Sequence, residues 1–242
     1  MKTATKRDIT VLMPVHNERE IIRQVIGNLI EVIGERILEL IIIVTPTSSS
    51  ATMSIIKQLA GEYDFVRVET QKIMPGIGNA YRQGYAIVRG KYVLNMDADG
   101  EMDADTVPAM VDLMDEGYDL VQASRWAKGG GFIGYNRIKY VLNWGYQKLF
   151  RVLFNTHISD LTYGFKIMRR EVAQGFRWNG ILHEFACENV LRPIKSGAKI
   201  GEVPTVWRVR TEGEGTTALW RNFRYAAMAI NIWIQGARKK EK

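Results

Sequence analysis

The sequence predicts an α/β protein with a mostly parallel central sheet, and three observations carry that prediction. Short β-branched and aliphatic runs alternate with segments whose apolar residues recur at helical spacing. The first run stops at Pro14 and the fourth at Asp97, so strands feed directly into polar loops. The 242 residues, 46% hydrophobic and 24% charged, suit one folded α/β unit, and no linker, repeat or low-complexity stretch divides them.

The elements follow in order. Residues 9–14 form a buried strand, and Val15-His16-Asn17-Glu18 is turn-like. Ile21, Ile22, Val25, Ile26, Leu29, Ile30 and Ile33 then keep the spacing of an amphipathic helix. Residues 38–44 are nearly continuous in branched apolar side chains, as expected of a strand covered on both faces. A helix over 51–60, a strand over 65–69, a helix over 78–88 and a strand over 92–96 complete the alternation. Such crossovers are right-handed, and ligands bind beyond the carboxyl ends of the strands. Gly129-Gly130-Gly131 lies in a loop and is too short for a linker.

Composition excludes several classes. Cys187 is the only cysteine, so no internal disulfide forms, and His16, His157 and His183 make no zinc-spaced cluster with it. Uncharged apolar runs such as residues 40–44 are far short of the roughly 18–20 residues of a membrane span. The first eight residues have no apolar stretch behind their charges, so no secretory signal is expected and the cytosol is the expected compartment. With 33 Lys and Arg against 26 Asp and Glu, the net charge of +7 favours an anionic partner.

The densest chemical constellation is Asp97, Asp99, Glu101, Asp103 and Asp105, at every second position after the fourth strand. Two carboxylates at i and i+2 on a strand end can share a hard divalent cation, which offsets their repulsion. Asp97 and Asp99 are therefore expected to hold magnesium or manganese. Asp103 and Asp105 instead suit the start of a helix over 106–114.

Six segments now stand in one order: Pro14-Val-His-Asn-Glu18, Gly76-Ile-Gly78-Asn-Ala-Tyr-Arg-Gln-Gly84, Asp97-Ala-Asp99, Ala123-Ser-Arg125, Asp160-Leu-Thr-Tyr-Gly-Phe165 and Glu202-Val-Pro204. Together they resemble the inverting glycosyltransferases of family 2, and more closely the polyprenyl-phosphate enzymes of the dolichyl-phosphate mannose synthase type, over about residues 8–217. The resemblance implies a GT-A, Rossmann-like nucleotide-diphospho-sugar transferase fold, a nucleotide-sugar donor and a divalent cation.

Carried over by position, it implies that Pro14, His16 and Glu18 lie against the nucleobase, with His16 where tyrosine is usual. Asp97 and Asp99 match the Asp-x-Asp pair, and Glu101 falls where a glutamine commonly adds a metal contact. Thr45 and Gly76 belong to the donor loops, and Arg210 to a terminal pyrophosphate loop. Arg125 matches a phosphate-reaching arginine, and Lys139 or Arg137 a second one. Asp99, Arg125 and Lys139 are the expected catalytic set. Two departures accompany the matches: Val44-Thr45-Pro46-Thr47-Ser48 replaces Asp-Asp-Gly-Ser, and Arg210-Thr-Glu-Gly-Glu-Gly-Thr216 lacks a serine and a lysine.

A lipid phosphate is already anionic, so an enzyme acting on it needs cations to position it and no strong base. Arg125, Lys128, Arg137 and Lys139 supply them in one stretch. An alcohol acceptor would need a carboxylate base, for which Asp160, Glu184 and Glu188 are candidates.

Residues 140–154 and 219–234 mix aromatic, aliphatic and basic side chains at helical spacing, and a basic tail follows. Such helices can lie among lipid headgroups, although a core helix, docking on the domain or a dimer contact explains them too. Five carboxylates at the binding edge argue against nucleic acid.

The expected organisation is a catalytic domain over residues 1–217 and a C-terminal amphipathic helix and basic tail over 218–242, without a transmembrane segment. The expected function is metal-dependent transfer of a hexose, mannose first, from GDP-mannose or a UDP-hexose to a polyprenyl phosphate. It would occur at the cytoplasmic membrane face, in a peripheral protein that could form a homodimer or dock on a membrane protein. A family 2 enzyme using a hydroxyl acceptor, and an impaired nucleotide-sugar-binding homologue, are the alternatives.

Overall fold

The computed structural model describes residues 7–73, 76–209 and 221–240. Its seven-stranded sheet runs in the order β3-β2-β1-β4-β7-β5-β8, from β1 (Ile9–Val15), β2 (Ile37–Val44), β3 (Val66–Thr70), β4 (Tyr92–Asn95), β5 (Leu120–Ser124), β7 (Lys166–Arg169) and β8 (Ile200–Pro204). All pairings are parallel except those of β7, which runs antiparallel between β4 and β5. The short strands β6 (Gly131–Ile133) and β9 (Val206–Arg208) form a separate parallel pair.

Alternating side chains of the central strands feed two cores. Val11 and Met13 of β1, with Leu40 and Ile42 of β2, pack against α1 (Ile21–Ile33), α2 (Ser50–Glu62) and α4 (Val107–Asp115). Leu12, Ile41 and Ile43 face α3 (Ile77–Ile87), α5 (Arg137–Phe154), the short α6 (Arg170–Gly175), α7 (Phe185–Lys195) and α8 (Arg221–Gln235). A strand covered on both faces is apolar at most positions, which is why β2 reads as a nearly continuous run interrupted by Glu39.

Local chemistry sets the boundaries. Ser49 caps α2 by accepting the Thr52 N–H at 3.2 Å, and Asn136 caps α5 by accepting those of Ile138 and Lys139. Asn155 ends α5 in the left-handed region at φ 47°. Asp103 caps the 3₁₀ turn ahead of α4 by accepting the Asp105 N–H, as expected of that aspartate. Asp105 lies inside that turn.

The last helix docks through one face only. Ala229 and Ile232 are buried, while Phe223 is 73%, Ile230 52%, Trp233 49% and Ile234 69% exposed. Helix α5 behaves likewise, with Phe150 and Phe154 buried and Ile138, Val141, Leu149 and Val152 exposed. Neither is an ordinary core helix. Among the described residues no helix is long and apolar enough to cross a membrane.

Candidate active site

Because β1, β2, β4, β5 and β8 run parallel, their carboxyl ends share one edge, and antiparallel β7 brings the segment before it, residues 159–165, to the same edge. These segments gather on one edge, as the topology requires.

The loops after β1 and β2 are tied together. The His16 ring Nδ1 lies 2.7 Å from the Thr45 hydroxyl, Asn17 Oδ1 accepts the Ser49 N–H, and Glu18 accepts the His16 N–H at 2.7 Å. Thus His16, Glu18 and Thr45, all expected at the donor, meet at the end of Pro14's strand. Arg210 lies outside the described residues.

Gly76 precedes α3 with φ +108°, and a Cβ there would lie 2.2 Å from the Ile181 carbonyl. The close approach of the 180–182 loop gives this glycine a packing reason.

Asp97 and Asp99 follow β4, with Gly100 supplying a turn at φ +76°. Tyr81 of α3 donates its hydroxyl to Asp97 Oδ1 at 2.8 Å, and Asp99 accepts the Glu101 N–H at 3.1 Å. Burial first, then Asp97, pushes the Tyr81 phenol well above its ordinary range, so it remains a donor. Gly164 leaves the flank of Asp97 Oδ2 without a side chain; a Cβ there would stand 3.9 Å away. Two hard carboxylates two residues apart at a strand end suit a magnesium- or manganese-sized cation.

Glu101, expected to add a metal contact, also has a structural partner. Its Oε2 accepts the Trp207 indole N–H at 3.0 Å, and among the described residues no three His, Cys, Asp or Glu side chains gather as a ligand set. Glu101 braces the loop against β9.

A cleft of about 720 Å³ opens beside this turn, lined by Arg125, Trp126, Phe132, Tyr135, Arg137 and Tyr140 among others. Tyr163 joins the two: the Arg125 guanidinium lies 4.3 Å above its ring, and its hydroxyl donates to the Glu101 carbonyl. Of the two alternatives for a second cation, Arg137 lines the cleft and Lys139 does not.

Arg125, expected to reach a phosphate, is held in a buried ion pair. Its Nε and Nη2 bond Asp160 at 2.7 and 3.0 Å, with the arginine 8% and the aspartate 0% exposed. Burial disfavours the guanidinium charge, but Asp160 more than offsets this and raises its pKa. Nη1 takes no part in these bonds. Gln147 and the Thr162 N–H also donate to Asp160, and Glu202 Oε1 holds the preceding turn through the Ser159 N–H.

Asp160 is accordingly unsuited to take a proton from a bound alcohol. The same holds for Glu188, fully buried and bonded to Arg192 at 2.7 Å and to the Asn179 and Gly180 N–H groups. Glu184 is bonded to Arg224. All three candidate bases serve structure. Sequence reasoning assigned no role to Tyr163, Trp207 or Glu202; Tyr163 and Glu202 lay inside quoted motifs, whereas no signal singled out Trp207.

Comparison with known proteins gives four matches. The family model described as Glycosyl transferase family 2 matches residues 10–176. A polyprenol monophosphomannose synthase of Mycolicibacterium smegmatis is 28% identical over 230 residues, covering 92% of this chain and 85% of that protein. A dolichol-phosphate mannosyltransferase of Pyrococcus furiosus is 25% identical over 208 residues, covering 85% of this chain but only 58% of that longer protein. Glucosyl-3-phosphoglycerate synthase from Mycobacterium tuberculosis, solved with Mn2+, uridine diphosphate and phosphoglyceric acid, matches with a TM-score of 0.71 at 18% identity, covering 94% of this chain and 78% of that one.

Proposed function

Since the chain belongs to glycosyl transferase family 2 and has the GT-A fold, we propose that this glycosyltransferase moves a hexose, mannose first, from a nucleotide-sugar to a polyprenyl phosphate. The observation that carries this is the cleft beside the Asp97–Asp99 turn: its lining holds Arg125 and Arg137 and no carboxylate. An alcohol acceptor needs a base, whereas a phosphate acceptor arrives ionised and needs positioning. The names of the two mannosyl-transferring relatives support the same acceptor class.

In this mechanism His16, Glu18 and Thr45 hold the nucleoside end of the donor. Asp97 and Asp99 would hold a divalent cation, which supplies charge neutralisation of the departing nucleoside diphosphate when bound. Arg137 draws in the acceptor phosphate, and Arg125, kept charged by Asp160, fixes the cleft wall through Tyr163. Aromatic side chains exclude water from the reacting centre.

Residues 1–217 form the catalytic part in this proposal, and α8 within 218–242 presents its apolar face to the bilayer beside α5. The enzyme then acts as a peripheral protein on the cytoplasmic membrane face. Thermal unfolding with Mn2+ and either GDP or UDP tests the donor site. A rise in Tm with one nucleotide, dependent on Mn2+ and lost in Asp99→Asn, is expected; no rise with either nucleotide contradicts the proposal.

A further inference from the structure

Helix α8 lies at the far end of the chain from Asp97, yet an unbroken series of contacts joins them. Arg224 of α8 donates Nη2 to Glu184 Oε1 at 2.7 Å and Nε to Oε2 at 3.1 Å. Glu184, 4% exposed, also accepts the Ile181 and Leu182 N–H groups at 3.1 and 3.2 Å, which shapes the 180–182 loop. The Ile181 carbonyl in turn accepts the Gly78 N–H at 2.8 Å, seating the first turn of α3. One turn on, Tyr81 stacks on Phe185, the residue after Glu184, with ring centroids 5.7 Å apart and planes 6° from parallel. Its hydroxyl ends on Asp97 Oδ1.

Each link is a directional bond or a close-packed stack, so little slack separates α8 from the carboxylate. Gly76 and Gly78 permit this: a Cβ at either would strike the 180–182 backbone at 2.2 or 2.5 Å.

We propose that Tyr81 is the positioning residue that orients Asp97 toward its cation, and that the Glu184–Arg224 ion pair ties this orientation to the seating of α8. The proposal rests on Asp97 as a cation ligand, and it makes the cation site responsive to whatever engages the exposed face of α8.

The test is Mn2+ affinity of the full chain, measured from the electron paramagnetic resonance of free Mn2+, independent of turnover. Tyr81→Phe keeps the ring and its stack on Phe185 and removes only the donor. Outer-shell partners of metal ligands carry about tenfold or more in affinity, and that loss is expected for Tyr81→Phe. Arg224→Ala should weaken Mn2+ by about threefold or more, the scale of coupling through packed networks. In the double variant the loss should not exceed that of Tyr81→Phe alone by more than about a factor of 1.5, because both act through one path. Affinities of Tyr81→Phe and Arg224→Ala within about twofold of the parent overturn the proposal, as do fully additive losses. Asp97→Asn separates the failures. If it abolishes Mn2+ binding while the other variants bind normally, only the positioning role falls; if it leaves binding intact, the cation assignment falls with it.

Discussion

At the scale of single residues, Asp160 distinguishes a structural from a chemical role. A base for an alcohol acceptor must reach substrate, but this carboxylate is fully buried against Arg125. Removing one partner of a buried pair strands the other charge, so Asp160→Ala should lose about 3–5 kcal/mol in urea unfolding. A variant of parental stability would show the pair to be dispensable. Lys166 provides a second residue-scale outcome. Buried in β7, it donates to the Ala186 carbonyl and Asn189, and burial lowers its pKa to about 7. Lysine in an unfolded chain titrates near about 10.4. Between these values the unfolded chain binds more protons, so this lysine's contribution makes stability rise with pH there and is least favourable below the lower value. Lys166→Met should flatten that slope in unfolding curves taken across the window; an unchanged slope would mean that the lysine stays charged in the fold. Asp97 and Asp99 were legible in the sequence because spacing alone puts paired carboxylates at a strand end. The buried pairing of Arg125 with Asp160 was not, since 35 residues separate partners that meet only through tertiary contact.

At the scale of elements, the first four strands and their helices follow from periodicity, and their boundaries shift by at most two residues between sequence and structure. Helix α2 starts one residue before the expected 51–60, where Ser49 caps it, and runs on through Gly61 to Glu62. The second half of the sheet was less legible. Strands β5, β7 and β8 are short and carry buried polar residues such as Gln122 and Lys166, which break the apolar pattern a strand ordinarily shows. Antiparallel β7 was invisible because pairing direction is set by the connection and not by composition. Helix α8 makes a prediction at this scale. Its docked and exposed faces are both apolar, so Ile232→Ala, at a fully buried site, should cost about 2–5 kcal/mol. Trp233→Ser with Ile234→Ser should change stability by only about 0.5 kcal/mol per site. That double variant should nevertheless lose most co-sedimentation with anionic vesicles. Retained sedimentation would place the membrane contact elsewhere.

At the scale of the whole molecule, the parallel strands gather the loops after β1 and β2, the carboxylate pair and a cleft holding two arginines on one edge, while α5 and α8 carry exposed apolar side chains. This arrangement suits a donor that arrives from water and an acceptor whose phosphate is fixed to a lipid. On the proposed reading, neutral Thr45 beside His16 would leave base selection to His16, Glu18 and the surrounding backbone, so GDP and UDP must be compared directly. The most direct measurement is transfer of labelled mannose from GDP-mannose, alongside labelled UDP-hexoses, to a short polyprenyl phosphate and to the matching uncharged polyprenol, with Mn2+ and an Asp99→Asn control. The account predicts transfer from one donor to the phosphate alone, abolished in the control. Equal transfer to the polyprenol, or none from any donor by folded protein, would contradict it.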